Sequence, residues 1–327
     1  MPRLTRRALI ATAALPLAVP ALGPALAQEG FPNRSIRIVV GFTPGGATDI
    51  AVRAFGPRMG EILGQAIVVE NRPGAGGNIA MEAVARAPAD GHTLLLGTIG
   101  TLVINPMVMR MPVDPLRDLL PVSIAVDLFN ILVVPMDRPW RSVADLVAAA
   151  KAAPGTLSWG HSGIGASPHL SGLMLDRLAG IETIGVSYRG GAQVATDLLA
   201  GRIDYSFATA PSVMQYVETG RLRALAVPTA QRSRLLPNVP TVAEGGVPGF
   251  DVASWYAITA PRGTPDAIVN RLSDAMRQAL GDAEVIATLN RNGLEPMATT
   301  PAQFATAWQA ERVKWEPVIR SGNIRVE

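Results

Sequence analysis

The sequence has no cysteine, three histidines and two lysines, Lys151 and Lys314, in 327 residues. Without cysteine there are no disulfides, thiolate zinc sites, iron–sulfur clusters or cysteine nucleophile. The histidines are His92, His161 and His169, and none belongs to an H-E-x-x-H pair, so a helical zinc site of that kind is absent. No G-x-x-x-x-G-K-[ST] run exists, which excludes a P-loop. Beyond residue 27 no apolar run reaches the ~20 residues that a membrane-spanning helix needs. No internal repeat and no low-complexity segment follows that point.

The one long uncharged run is at the start. Arg3, Arg6 and Arg7 precede an apolar stretch from Ala8 to Leu26, which closes on Ala25-Leu26-Ala27. A basic start, a short apolar run and an A-x-A cleavage site make a secretory signal over residues 1–27. Pro16, Pro20, Gly23 and Pro24 break the run and argue against a membrane anchor. Thr5-Arg6-Arg7 followed by Ala8-Leu9-Ile10 also resembles a twin-arginine signal; an ordinary Sec signal carrying two arginines is the alternative. The whole chain has 29 Lys+Arg against 26 Asp+Glu. With the three signal arginines removed, the mature chain is formally neutral, which gives no basic footprint for nucleic acid.

About 300 residues remain, enough for two domains, and a hydrophobic content of 48% supplies each with a core. Short β-branched runs alternate with helical stretches. Strands are expected at Ile36 to Phe42, Ile67 to Glu70, Thr93 to Leu96, Ile131 to Val134, Thr156 to Gly160, Ile184 to Tyr188, Tyr205 to Ala208, Leu222 to Val227 and Asp251 to Ala260. Helices are expected at Thr48 to Leu63, Asn78 to Ala87, Ser142 to Ala153, Ser167 to Leu178, Gln193 to Ala200 and from Thr264-Pro265 to about Leu280, with a helical hairpin-like tail after it. Such alternation indicates parallel α/β sheets. Residues 105–121, rich in Pro, Met and Asp, read as an irregular surface excursion. The strands near Ile131–Val134 and Ser254–Thr259 are placed to connect two lobes, giving residues 28–130 plus 252–327 in the first and 131–251 in the second.

Enzyme motifs are incomplete. Gly160-His161-Ser162-Gly163-Ile164 begins like a nucleophile elbow but has Ile164 where the second glycine belongs. Gly74, Gly76 and Gly77 fail as a dinucleotide fingerprint because Ile79 occupies the third glycine position. Two strand–loop–helix joints remain: residues 42–49 (Phe-Thr-Pro-Gly-Gly-Ala-Thr-Asp) and 160–167 (Gly-His-Ser-Gly-Ile-Gly-Ala-Ser). Glycine lets a ligand approach main-chain N–H groups. The helix start that follows leaves N–H groups unpaired and carries partial positive charge. A carboxylate or phosphate binds such a site without needing an arginine. One loop falls in each lobe, so the two can grip one ligand from both sides.

These residues carry a family resemblance. The 42–49 loop, Val69-Glu70-Asn71-Arg72-Pro73-Gly74-Ala75-Gly76-Gly77-Asn78 and Ala87-Pro88-Ala89-Asp90-Gly91-His92-Thr93 resemble the Bug family, the periplasmic solute-binding proteins of tripartite tricarboxylate transporters. Ser187-Tyr188-Arg189-Gly190-Gly191, Gly220-Arg221-Leu222-Arg223, Leu236-Pro237-Asn238-Val239-Pro240 and Ala260-Pro261-Arg262-Gly263-Thr264-Pro265 match further on. The resemblance implies a type II periplasmic-binding fold, two α/β lobes with a ligand cleft between them, that closes on a small organic acid. It implies a periplasmic, soluble, monomeric receptor without catalysis, metal or cofactor, serving transmembrane permease subunits. Carried onto this chain, it implies contacts from Thr43, Pro44, Gly45, Gly46, Thr48 and Asp49 in the first loop. The second loop gives His161, Ser162, Gly165, Ala166 and Ser167, with Asn78, Tyr188, Thr209 and Trp255 as cleft wall. His161 replaces a small hydroxyl residue common in the family, and Ala208-Thr209 replaces a polar pair. Both departures favour a ligand whose far end is apolar or carboxylate rather than ammonium. A binding module feeding a sensor kinase is the alternative, and a secreted hydrolase using Ser162 and His169 a further one.

Overall fold

The computed structural model describes residues 30–252 and 254–321; the N-terminal signal expected over 1–27 lies outside them. Two main sheets organise the described residues, with a separate two-stranded pair beside the smaller one. The larger has six strands in the order β11-β4-β10-β3-β1-β2: β1 (Ile36–Val40), β2 (Ile67–Asn71), β3 (Thr93–Thr98), β4 (Leu119–Leu128), β10 (Trp255–Pro261) and β11 (Leu294–Pro296). β1 runs parallel to β2 and β3, while β10 is antiparallel to both β3 and β4. Its helices are α1 (Ala47–Leu63), α2 (Asn78–Ala85), α3 (Asn105–Val108), α4 (Pro115–Asp118), α9 (Asp266–Leu280), α10 (Ala283–Arg291) and α11 (Pro301–Ser321).

The second lobe contains β5 (Asn130–Pro135) between β8 (Ser206–Thr209) and β9 (Leu222–Ala226), and a parallel pair β6 (Ser158–His161) and β7 (Ile184–Ser187). A parallel bridge from Trp159 to Tyr205 joins the pair to the chain entering β8. Helices α5 (Val143–Ala152), α6 (Ser167–Ala179), α7 (Gly191–Leu199) and α8 (Ala210–Glu218) cover it. Its core includes Ile131, Val133, Leu198, Phe129, Val213 and Val227.

Local chemistry explains most boundaries. Ser142 Oγ accepts the Asp145 N–H at 3.1 Å and starts α5. Gly180, at φ 61°, ends α6 in the left-handed conformation. The residues expected as an excursion behave differently. Asn105 and Val108 are buried in α3, which continues a π-turn (Gly100–Ile104), Asp114 caps α4, and β4 begins already at Leu119. Pro121 sits in β4 opposite Thr259, beside a register shift in the β4–β10 ladder. An irregularity of that kind is where a sheet accepts proline. The tail is not a bare helical hairpin, since β11 pairs with β4 between α10 and α11. Ala166 is the residue before α6, and Pro265 the one before α9.

The two passages between lobes lie side by side. β4 ends at Leu128 and β5 begins at Asn130; the return enters β10 at Trp255, and the Leu128 N–H donates to Ser254 O at 2.8 Å. No helix among the described residues is long and apolar enough to cross a membrane.

Candidate functional site

The first loop joins β1 to α1. Gly41 is pressed so close to the next loop that a Cβ there would lie 2.5 Å from Gly77 Cα. Gly45 turns the chain at φ 77°, a conformation costly for any residue with a Cβ. Its N–H donates to Asp49 Oδ2 at 3.0 Å, and Arg53 Nε donates to the same oxygen at 2.8 Å. Asn71 Nδ2 holds Phe42 O from behind at 3.1 Å. Burial pushes the Asp49 carboxyl up, but the Arg53 and Gly45 hydrogen bonds outweigh it and hold the group below its ordinary range. Gly46 precedes α1 and provides no side-chain cap, so the N–H groups of the first turn remain open to a ligand.

The second loop joins β6 to α6. Ala166 N–H donates to Gly163 O at 3.3 Å, and Gly165 N–H donates to His169 Nδ1 at 3.3 Å. Ala166 likewise gives α6 no side-chain cap. Two more uncapped helix starts come from the same lobe: α7 after Gly190, and α8 after Thr209, whose hydroxyl shares a 2.8 Å bond with Ser212 Oγ.

All four helix starts open on one cavity of about 500 Å³, within the range of small-molecule sites. Of the residues selected from sequence, Thr43, Pro44, Gly45, Gly46, Thr48, Ser162, Ala166, Ser167 and Thr209 line it. So do Thr98, Ile99, Arg189, Gln193, Ser254 and Tyr256, which were not selected. Among the described residues, Arg189 is the one charged residue of the lining, which holds no aspartate or glutamate. Each helix start adds roughly half a positive charge. The cavity therefore favours an anion, with hydroxyls of Thr43, Thr48, Ser162 and Tyr256 in its lining and Ser167 Oγ turned to Asn130 Oδ1 at 3.5 Å. Arg189 was detectable as the first polar residue of Arg189-Gly190-Gly191, a third glycine-rich entry to a helix.

Six other residues selected from sequence stand behind the wall. Asp49 braces the first loop as described. Asn78 accepts Asn105 Nδ2 at 2.7 Å and directs its own amide to Met109 S at 3.0 Å. Tyr188 donates its hydroxyl to Asp197 at 2.7 Å; burial, then Asp197, pushes it up to about 12. Trp255 packs edge-on against Phe304 with ring centroids 5.6 Å apart. Gly165 meets Asn105. His161 is buried among aromatic rings, 4.4 Å from His169 and 5.2 Å from Trp159 between centroids. Burial lowers both imidazoles, and His169, with His161 beside it, falls to about 3. Both are neutral at physiological pH. Among the described residues no group of three or more His, Asp or Glu is placed to hold a metal ion.

Comparison with known proteins gives a consistent set of relatives. A family model described as the tripartite tricarboxylate transporter family receptor matches residues 51–324. Protein BugT of Bordetella pertussis is 32% identical over 321 residues, covering 98% of each chain. The solved structure of R. palustris Rpa4515 with adipate is 38% identical, with a TM-score of 0.86, over 90% of this chain and 99% of that one. MatC (Rpa3494) from Rhodopseudomonas palustris, with bound malate, is 32% identical at a TM-score of 0.83, over 88% of this chain and all of that one. The likeness spans both lobes, and the fold is the two-lobed type II periplasmic-binding-protein fold.

Proposed function

We propose, since this chain belongs to the tripartite tricarboxylate transporter receptor family, that it captures a small organic carboxylate between its two lobes and delivers it to the permease subunits of such a transporter. The observation that carries the reading is the charge pattern of the 500 Å³ cavity: four uncapped helix starts and Arg189, with no acidic residue in the lining. The carboxylate takes N–H groups and hydroxyls at the start of α1 from one side, with Thr43 and Thr48, and Ser162 and Ser167 from the other. Adipate and malate, the acids held by two solved relatives, set the ligand class. In this reading Asp49, Asn78, His161, Gly165, Tyr188 and Trp255 shape the site from behind and make no ligand contact.

The lobes that close are 28–130 plus 252–327 and 131–251. The larger sheet draws its strands from 36–128 and 255–296 and the smaller from 130–226, which supports that division. The receptor works in the periplasm as a monomer after loss of residues 1–27; the basic start, apolar run and Ala25-Leu26-Ala27 support export. It performs no chemistry on its ligand. His169 spends Nδ1 on the Gly165 N–H and is lowered to about 3, which makes it a poor base for a Ser162 nucleophile.

The test is thermal denaturation with mono-, di- and tricarboxylates and amino acids. A ligand that binds only the folded chain at 100 times its Kd adds about 2.7 kcal/mol, so malate, adipate or a close analogue raises the melting temperature by several degrees. No shift across the whole panel contradicts the proposal.

A further inference from the structure

The two lobes touch at a second place, just outside the cavity, where Gly100 meets Gly165 backbone to backbone. The π-turn Gly100–Ile104 of the first lobe meets the 163–166 loop of the second. A Cβ on Gly100 would lie 2.6 Å from Gly165 O, 3.0 Å from Gly165 C and 3.4 Å from Ala166 Cα. These are backbone atoms and cannot swing aside. Gly165 meets the Asn105 amide just as closely, and a Cβ on Gly76 would lie 3.2 Å from Ile164 O.

Both sides of this seam are anchored. Asn105 is fully buried; its Nδ2 donates to Gly76 O at 3.2 Å and Asn78 Oδ1 at 2.7 Å, and Thr101 Oγ1 donates to Gly76 O at 3.0 Å. Across the seam, the Gly165 N–H is held by His169 Nδ1. Asn105 Oδ1, turned towards Gly165, has no hydrogen-bond partner among the described residues. Ile99 and Ala166, the neighbours of Gly100 and Gly165, line the cavity, whereas Gly100, Asn105 and Gly165 do not.

We propose that Gly100 is an affinity-determining residue: by crossing Gly165 backbone to backbone it lets the lobes close fully, and so sets how tightly any ligand is held without touching one. The proposal rests on the capture reading above. A ligand gains from closure only through contacts that exist in the closed state, and its apparent affinity falls by the fraction of chains that can reach that state. A side chain at position 100 therefore weakens every ligand by the same factor. A lost ligand contact would instead weaken different ligands differently.

Gly100 is a clean probe because its φ is not positive, so alanine fits the local backbone and is the better helix former. Gly76 and Gly165, at φ 62° and 76°, would be strained by any substitution whatever the lobes do. The experiment titrates malate and adipate calorimetrically into wild-type and Gly100→Ala chains and records the ligand-free melting of each. The natural absence of cysteine also permits a spin-label pair at Lys151→Cys and Gln278→Cys, exposed on α5 and α9, to read the distance between lobes.

The expected result is a roughly 10- to 100-fold loss of affinity, the usual reach of overpacking, equal for each acid the wild type binds, with ligand-free melting unchanged. The label distance shortens with ligand in the wild type and shortens less in Gly100→Ala. Unchanged affinity, unequal factors for the two acids, or a ligand-free melting temperature that falls with the affinity each overturns the proposal while leaving the capture reading standing. A wild-type chain that binds neither acid overturns both.

Discussion

At the scale of single residues, Asp49 links the ligand loop to the helix behind it. One oxygen, Oδ2, takes both the Gly45 N–H and Arg53 Nε, so the loop keeps its shape only while the carboxyl is ionised. Asp49→Asn is expected to cost about 1.5–3 kcal/mol at pH 7, the range for hydrogen bonds to a charged group, and to weaken carboxylate binding at the same time. The pH dependence follows from the lowered carboxyl. Its stabilisation is present above the ordinary value of 3.8 and is lost as pH falls through the lower folded value. Urea denaturation at pH 7, 5 and 3 should therefore show a constant gap between wild type and variant down to about pH 4 that closes below it. A gap independent of pH would exclude an ionised Asp49 as its source. The role of Asp49 was half legible in sequence: an acid three residues into a helix is favoured by the helix dipole, but only the folded loop brings the Gly45 N–H back onto it. His161 was legible as a departure from relatives and not as a ring packed on His169 and Trp159, because side-chain direction in a glycine-rich loop is fixed by partners distant in sequence.

Among the elements, β4 carries the most information that the sequence concealed. Its ten residues include Pro121 and follow a Pro- and Met-rich stretch, so propensity argues against a strand. Pairing with β10 and β11 overrides that. The parallel strands β1 and β3 were legible because they are largely buried and their runs are mostly apolar, and β2 from its Ile67-Val68-Val69 run, although it lies at the sheet edge with Val68 exposed. β4 ends at the passage to the second lobe, and Asp127 stands there among Glu295, Glu311 and Asp251, the last paired with Lys314 at 2.7 Å. Burial first and Glu295 second push Asp127 up to about 7. A raised folded value means that the folded chain holds this proton more tightly than the unfolded chain does. The ionised group therefore opposes folding, a cost that is complete above pH 7 and is relieved progressively as pH falls from 7 towards the ordinary value of 3.8. Asp127→Asn should melt higher than wild type at pH 8, with the difference shrinking by pH 5. Equal differences at both pH values would place the charge in a solvated site instead.

For the whole molecule, the α/β class was legible from strand–helix alternation, and the two strand–loop–helix joints from glycine placement. The cavity between them was not, because four helix starts converge only after β5, β6 and β8 are assembled. Thr98, Ser254 and Tyr256 come from segments that no local motif marks. What the assembled site adds to the loops is charge: Arg189 and four helix starts, with no acid facing them. That arrangement makes ligand charge the determinant of binding. The most direct measurement compares a dicarboxylic acid with its diamide, which has nearly the same size and shape and no charge, by isothermal titration. Malate or adipate should bind at low ionic strength while the corresponding diamide gives no heat, since desolvating N–H donors for a neutral amide returns far less than for a carboxylate. A diamide that binds as tightly as its acid would contradict the account.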